Sequence, residues 1–378
     1  MKKKKQDADS IDQATLGEVR QEIDALDTQI QALISARARL AWAARESKGK
    51  LAHAVDYYRP EREAQVLKAV LERNRGPISD AEMLRLFREI MSVCLAQQES
   101  LKIAYLGPEG TFTQQAVHQH FGHSVQALGV SGIDDVFVQV ESSEADFGVV
   151  PVENSNQGIV SHTLDRFVDS DLKICGEIEM AIHHNLLSQA KSLQHIERLY
   201  SHQQSLSQCR NWISQHLPSA ECIAVSSNAE AARRVRHSPD AAAISSRTAA
   251  EIYGVPVLFA NIEDRADNAT RFLVIGRQLL TPSGDDKTTL LLAGDEGPGA
   301  LHALLSPLAR HSLNMSRIES RPANIGRWSY VFFIDVDGHA ETGSLKSALA
   351  EMRNQASLTR VLGSYPKAVG SAATRVDK

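Results

Sequence analysis

The stretch Asn268-Ala269-Thr270-Arg271-Phe272 stands where a polar turn, residues 262–267, gives way to an apolar run, residues 272–275. An apolar run entered from a polar turn reads as a buried strand, with the Thr270 hydroxyl and the Arg271 guanidinium held at its mouth. Taken alone, the threonine serves equally well as a strand former. Earlier strand ends carry similar polar collections. Residues 102–106 lead into Gly107, Pro108, Glu109, Gly110 and Thr111, ahead of a helix expected from Phe112. Residues 147–152 lead into Glu153, Asn154, Ser155 and Asn156, and residues 198–200 into Ser201, His202 and Gln203. Residues 222–225 lead into Ser226, Ser227 and Asn228, and residues 241–244 into Ser245 and Ser246. Alternating short strands and helices imply parallel sheets, which bind ligands beyond the carboxyl ends of their strands. Any one of these hydroxyls is more often a helix N-cap. Together the loops point to a cleft for a small anion, because helix N-termini attract negative charge.

The chain has 378 residues, enough for two or three domains that each bury a core. Hydrophobic content of 43% and charged content of 23% are ordinary for a soluble globular protein. A formal net charge of -5 argues against a nucleic-acid partner, which requires a broad cationic field. The basic run at residues 2–5 reads as a solvated tail, and the Gln6, Asp7, Ala8 and Asp9 that follow are not the apolar core of a signal peptide. No apolar stretch reaches the roughly 18 residues of a membrane span, so no membrane partner and a cytoplasmic location are expected. Cys94, Cys175, Cys209 and Cys222 are scattered without metal-ligand spacing. Neither His118, His120 and His123 nor His183 and His184 have the companions that complete a tetrahedron, so no metal and no cofactor are expected.

Residues 15–48 contain no proline, and their one glycine, Gly17, lies near the start. Val19, Ile23, Leu26, Ile30, Leu33 and Leu40 form one helical seam. Such a helix spans roughly 50 Å and needs a partner chain or a long antiparallel neighbour. Arg37 occupies a seam step that calls for leucine, so it either snorkels out or meets a buried anion. Lys48, eleven residues on, falls within about 20° of Arg37 around the helix, so two cations share the inward face. Arg20 lies roughly 100° away and would have to come from the other subunit to serve the same pocket. A second helix runs from Pro60 through Arg62 and Glu63 to about Arg73. Ser79 or Asp80 caps a third, which carries Met83, Leu86, Phe87, Ile90, Met91, Cys94 and Leu95, with Gln98 one turn beyond Cys94.

Three helices, one very long, over residues 10–100 resemble the all-α chorismate mutase domain, a dimer with interlocked long helices. The resemblance implies that Arg37, Lys48 and Arg62, with Arg20 of the partner subunit, hold two substrate carboxylates and an ether oxygen. Glu63 would accept from the ring hydroxyl of chorismate, and Gln98 would donate to the ether oxygen. Arg59 and Cys94 fall in the same pocket, where relatives carry an aspartate and a serine. Such a rearrangement is unimolecular, so the site has only to fold the substrate and meet charge that develops on the ether oxygen.

Over residues 101–280 the motifs at 105–113, 149–155 with Gly158, 201–203, 229–232 and 268–272 resemble those of prephenate dehydratases, in the same order. That family's fold implies two α/β lobes about a cleft, like a type II periplasmic binding protein, with the last strand returning to the first lobe. The resemblance makes Thr270 the donor to a departing hydroxyl and lets Arg271 grip a carboxylate of prephenate. Thr111, Glu153, Asn154, Ser155, Ser201, Gln203, Ser227 and Asn268 would line the cleft.

Residues 281–286 read as a linker. The order strand, helix, strand, strand, helix, strand over residues 287–365 is the ferredoxin-like α+β pattern, and the chain after Gly363 reads as a loose tail. Gly299, Ala300 and Leu301, with Glu319, Ser320, Arg321 and Pro322, resemble the phenylalanine-sensing motifs of ACT regulatory domains. The whole chain therefore resembles bifunctional enzymes of phenylalanine biosynthesis, homodimers or larger, with L-phenylalanine as effector. Two rival readings are a cytoplasmic ligand-binding regulator built on the cleft fold, and a monofunctional dehydratase whose helical domain only dimerises.

Overall fold

The computed structural model describes residues 15–46, 58–97, 100–156, 158–294, 297–322 and 330–369. The first helix, α1 (Leu16–Glu46), runs unbroken for 31 residues. Its seam is bare within one chain, from 50% exposure at Ile23 to 72% at Leu40. Helix α2 (Pro60–Arg73) has its proline at the first position, where no intrahelical donor is lost, and both ends fall where the sequence places them. Helix α3 (Asp80–Ala96) is capped by Ser79, whose Oγ accepts from the Glu82 amide at 3.3 Å and donates to the Glu82 carboxylate at 3.1 Å.

The next segment builds two lobes. Lobe one holds β1 (Lys102–Leu106), α4 (Phe112–Phe121), β2 (Gln126–Val130), α5 (Ile133–Glu141), β3 (Phe147–Asn154), β4 (Gly158–Ile159), α6 (Ser161–Asp169) and β5 (Lys173–Ala181). Lobe two holds β6 (Asn185–Ser188), β7 (Arg198–His202), α7 (Gln203–Gln208), α8 (Arg210–His216), β8 (Glu221–Val225), α9 (Asn228–Val235), β9 (Ala241–Ser245), α10 (Arg247–Tyr253) and β10 (Val257–Phe259). The chain then returns to lobe one as β11 (Ala269–Gly276), and the sheet orders are β2-β1-β3-β11-β5 and β10-β6-β9-β7-β8. The two crossings between lobes are tied by Ile182 N donating to Asn268 O and Ile262 N to His184 O, both at 2.8 Å.

Strand β11 begins at Ala269, earlier than the apolar run suggests, because β3 and β5 pair with it on both sides. Thr270 lies opposite Asn154 and Arg271 opposite Glu153. Successive side chains on a strand point to opposite faces, so the threonine and the arginine look in different directions.

The last unit comprises β12 (Asp286–Ala293), α11 (Ala300–Arg310), β13 (Met315–Pro322), β14 (Tyr330–Asp337), α12 (Gly343–Arg353) and β15 (Leu358–Pro366), in sheet order β13-β14-β12-β15. The stretch read as a linker is tightly built, and its last residue, Asp286, opens β12 and accepts from Ser283 Oγ at 2.6 Å. Beyond Gly363 the chain continues β15, contrary to the expectation of a loose tail, because β15 packs against β5. The approach is so close that a Cβ on Gly363 would stand 2.1 Å from the Ile174 carbonyl oxygen. Leu291, Phe333, Leu362 and Tyr365 share one core with Phe137, Phe167 and Ile275 of lobe one, so this unit and the lobe fold against each other.

Candidate active sites

Helices α1, α2 and α3 enclose a cavity of about 410 Å³ that Arg37, Arg59, Arg62, Glu63 and Cys94 all help to line. Five of the eight residues expected there are thus brought together. Lys48 and Gln98 lie outside the described residues. Arg20 is exposed on the first turns of α1 and is not in this cavity; seventeen residues at about 1.5 Å each set it roughly 25 Å along the axis from Arg37. Burial pushes the Glu63 carboxyl up to about 7, against the pull of Arg88, Tyr58 and Arg37.

Tyr58 and Arg88, both unforeseen, also line the cavity, and a second cavity of about 460 Å³ shares the wall they make with Glu63. Arg88 had a signal in the sequence: it stands four residues after Leu84 and three before Met91, a cation on an apolar helical stripe, as Arg37 is. Tyr58 had none, since it precedes its helix. Its hydroxyl lies 3.1 Å from His120 Nε2, and burial drives His120 down to about 3. The other histidines of that stretch are engaged too, His118 stacking on His123 and His123 Nδ1 meeting Glu89 Oε1 at 2.6 Å.

In the dehydratase-like unit the centre is Asn154. Its side-chain amide, 8% exposed, donates to Thr270 Oγ1 at 2.9 Å, to Asn268 Oδ1 at 3.0 Å and to the Ala269 carbonyl at 3.2 Å. Ser155 reinforces the strand entry, its Oγ accepting from Ala269 N at 3.0 Å and donating to Asp267 O at 3.2 Å. Asn268 reaches lobe two by donating to Gln208 Oε1 at 3.2 Å, and that oxygen also meets His184 Nε2 at 2.7 Å. Thr270 thus accepts from Asn154, which leaves its own O–H as the donor it can offer.

On lobe two, Ser201 is fully buried and donates to Asn228 Oδ1 at 2.9 Å and Ile244 O at 3.0 Å, while Gln203 opens α7 on the surface. Thr111 and Ser227 are helix N-caps, accepting from Gln114 N and Glu230 N. Gly110 brings the lobes together: its φ is +87°, its carbonyl accepts from Ser246 Oγ at 3.0 Å, and a Cβ there would stand 3.2 Å from Ala249 and Tyr253 side-chain atoms.

Two expected cleft residues face elsewhere. Arg271 does not grip a ligand: its Nε donates to Glu177 Oε2 at 3.0 Å, Nη1 to Asp335 Oδ2 at 2.6 Å and Nη2 to the Tyr365 hydroxyl at 3.1 Å. Glu153, its cross-strand neighbour, pairs with Arg317 at 3.2 Å. The alternation of β3 and β11 places Asn154 and Thr270 on the cleft side and gives Glu153 and Arg271 to the C-terminal unit.

Of the expected sensor residues, Gly299 takes φ +82° ahead of α11, which Ala300 and Leu301 open. Glu319, Ser320, Arg321 and Pro322 belong to the edge strand β13. Arg321 is spent on lobe one, its Nη2 donating to both Asp165 oxygens at 2.8 and 2.9 Å and its Nη1 to Ser161 at 2.8 Å.

Three family models match in order: chorismate mutase type II over residues 19–99, prephenate dehydratase over 103–279 and the ACT domain over 288–354. A bifunctional chorismate mutase/prephenate dehydratase of Pseudomonas aeruginosa is 49% identical over 362 residues, covering 95% of this chain and 99% of that protein. Among solved structures, a prephenate dehydratase of Arthrobacter aurescens in complex with L-Phe is 36% identical with a TM-score of 0.65, over 70% of this chain and 90% of that one. A quorum-quenching acylase, GqqA, aligns at 29% identity and TM-score 0.66, over 71% of this chain and 98% of that one, so this fold also carries another named activity. Identity that extends across the helical unit as well as the two that follow decides the assignment: the chain belongs to the family of bifunctional chorismate mutase/prephenate dehydratases.

Proposed function

We propose that the enzyme rearranges chorismate to prephenate in the cavity of Arg37, Arg59, Arg62 and Glu63, and converts prephenate to phenylpyruvate, carbon dioxide and water at Thr270, under feedback by L-phenylalanine at the ACT unit. The observation that carries this reading is the separation of two polar sites, a cation-lined cavity among helices and a hydroxyl held by Asn154 between two lobes. In the first, guanidinium groups fold a dianion into a compact conformer and oppose charge that grows on its ether oxygen, while Glu63 accepts from the ring hydroxyl. In the second, the electrons of the breaking carbon–carboxylate bond enter the ring and expel hydroxide. Thr270 donates a hydrogen bond to that oxygen as it leaves, and aromatisation supplies the driving force.

The bare seam of α1 supports a homodimer in which Arg20 of the partner subunit completes the mutase cavity. Among the described residues no helix is long and apolar enough to cross a membrane, which accords with the cytoplasmic location we propose. Domain limits at 10–100, 101–280 and 287–365 follow from the same reading.

Turnover of each substrate by purified variants tests it. Thr270→Ala is expected to lower dehydratase turnover at least ~100-fold with mutase turnover retained, and Arg37→Ala to do the reverse. Equal loss of both activities in either variant would refute two separate sites.

A further inference from the structure

Asn154 and Thr270 stand opposite each other on β3 and β11, and the adjoining cross-strand pair, on the reverse face, is Glu153 and Arg271. Just beyond that pair the register skips Val152, since Arg271 lies opposite Glu153 and Phe272 opposite Pro151. Such a bulge sets the end of β3 apart from the body of the strand and re-aims its side chains. The C-terminal unit holds that end from behind. Arg317 Nε lies 3.2 Å from Glu153 Oε2, with side-chain exposures of 13% and 38%. Beside it, Asp335 Oδ2 accepts from Arg271 Nη1 at 2.6 Å. Arg317 and Asp335 are themselves cross-strand partners on β13 and β14. A cation and an anion side by side on one sheet thus meet an anion and a cation on the other, each against its complement. Among the described residues no other carboxylate pairs with Arg317, and its Nη2 is buried without a hydrogen-bond partner.

We propose that Arg317 is a positioning residue of the dehydratase site: through Glu153 it fixes the bulged end of β3, and with it the Asn154 amide that holds the Thr270 hydroxyl. The inference rests on the assignment of Thr270 given above. Without the guanidinium, Glu153 turns toward water, which its partial exposure allows. The neighbouring Asn154 then loses the fixed backbone from which its amide donates to Thr270 Oγ1 at 2.9 Å. A donor displaced by a fraction of an ångström slows a step that depends on orientation. Arg317 stands behind the cleft wall and touches the site only through Glu153, so its loss falls on kcat and leaves KM nearly unchanged.

The test is dehydratase kcat and KM on prephenate in the full-length protein, with mutase turnover as the measure of folding. Arg317→Gln is expected to lower kcat roughly 10-fold with KM within about 2-fold of wild type, and Arg317→Lys, which keeps the charge, to recover most of the rate. Glu153→Gln should lower kcat as well, and the double variant Arg317→Gln/Glu153→Gln should fall no further than the slower single, because both singles remove one contact. Wild-type kcat in Arg317→Gln overturns the proposal, as do losses that multiply in the double variant or an Arg317→Lys enzyme as slow as Arg317→Gln. A purely structural role would lower the melting temperature and leave the kcat of the folded enzyme alone. Full dehydratase turnover in Thr270→Ala overturns instead the assignment on which the proposal stands. If one single variant loses mutase turnover and so has not folded, the double variant, which strands no charge, is compared with the other single. Equal and lowered kcat then supports the contact, and a further fall, or wild-type kcat in both, overturns it.

Discussion

Asn154 shows how one side chain organises a site. It donates to the hydroxyl, amide and carbonyl groups of Thr270, Asn268 and Ala269, so removing it frees the rotamer of the Thr270 hydroxyl and strands a buried asparagine oxygen. Asn154→Ala is expected to lower dehydratase kcat by roughly 10–100-fold with little change in mutase turnover, measured on prephenate and chorismate separately. His120 sets an acid limit at the same scale. Burial depresses its folded pKa to about 3, below the ordinary imidazole range, so the folded state binds fewer protons than the unfolded one. Its stability contribution is present above about 6.5 and is lost as the pH falls toward 3. His120→Gln, which cannot charge, is expected to lose less Tm between pH 7 and 4.5 than wild type, read by thermal melts at both values.

At the scale of elements, β15 packs against β5, and α1 leaves a long apolar seam uncovered within one chain. The seam of α1, with Leu26 55% and Leu33 69% exposed, would bury considerable apolar area against a second copy, at about 25 cal/mol per Å². Leu33→Glu is expected to shift the protein toward monomer in sedimentation and to abolish mutase turnover, on the proposal that Arg20 is supplied by a second copy; a dimeric Leu33→Glu enzyme would contradict the seam's role. Strand β15 depends on Gly363, whose missing side chain permits contact with the Ile174 carbonyl. Gly363→Ala must part β15 from β5, and the expected result is a fall in Tm together with weaker L-phenylalanine inhibition.

Across the whole molecule, the ACT unit is joined to lobe one by a common core and by a buried ionic network. Arg271, Glu177, Asp335 and Lys287 meet there, with side chains between 2% and 13% exposed, and Thr289 and Tyr365 complete their hydrogen bonds. Asp335→Asn removes one anion from beside a buried guanidinium and is expected to cost about 3 kcal/mol, seen in denaturant melts. Because Arg271 follows Thr270 on β11, the same variant should change dehydratase kcat and its response to L-phenylalanine together. A chain cut after Ser283 would lose Leu291, Phe333, Leu362 and Tyr365 from the core of lobe one. Its expected phenotype is therefore an unstable dehydratase and not merely a desensitised one.

Many local signals were in the sequence: the proline that opens α2, a cap for α3 at Ser79 or Asp80, the strand end at Leu106, the break in the seam of α1 that marks Arg37 and, in retrospect, the break in the apolar stripe of α3 that marks Arg88, whereas β3 runs two residues past the end the sequence suggested, to Asn154. Helix and strand periodicities act over a few residues, so neighbours in the chain suffice to reveal them. What only tertiary structure decided is where a side chain goes when strands pair and units dock. Thr270 and Arg271 are adjacent in sequence, yet the register of β11 against β3 sends one to the cleft and the other to a buried pair with Asp335, far along the chain. Thr111 and Ser227 are local caps of the kind the sequence allowed for, each accepting from an amide three residues on, whereas the docking of β15 was settled by the same long-range packing, which composition and spacing cannot encode one residue at a time.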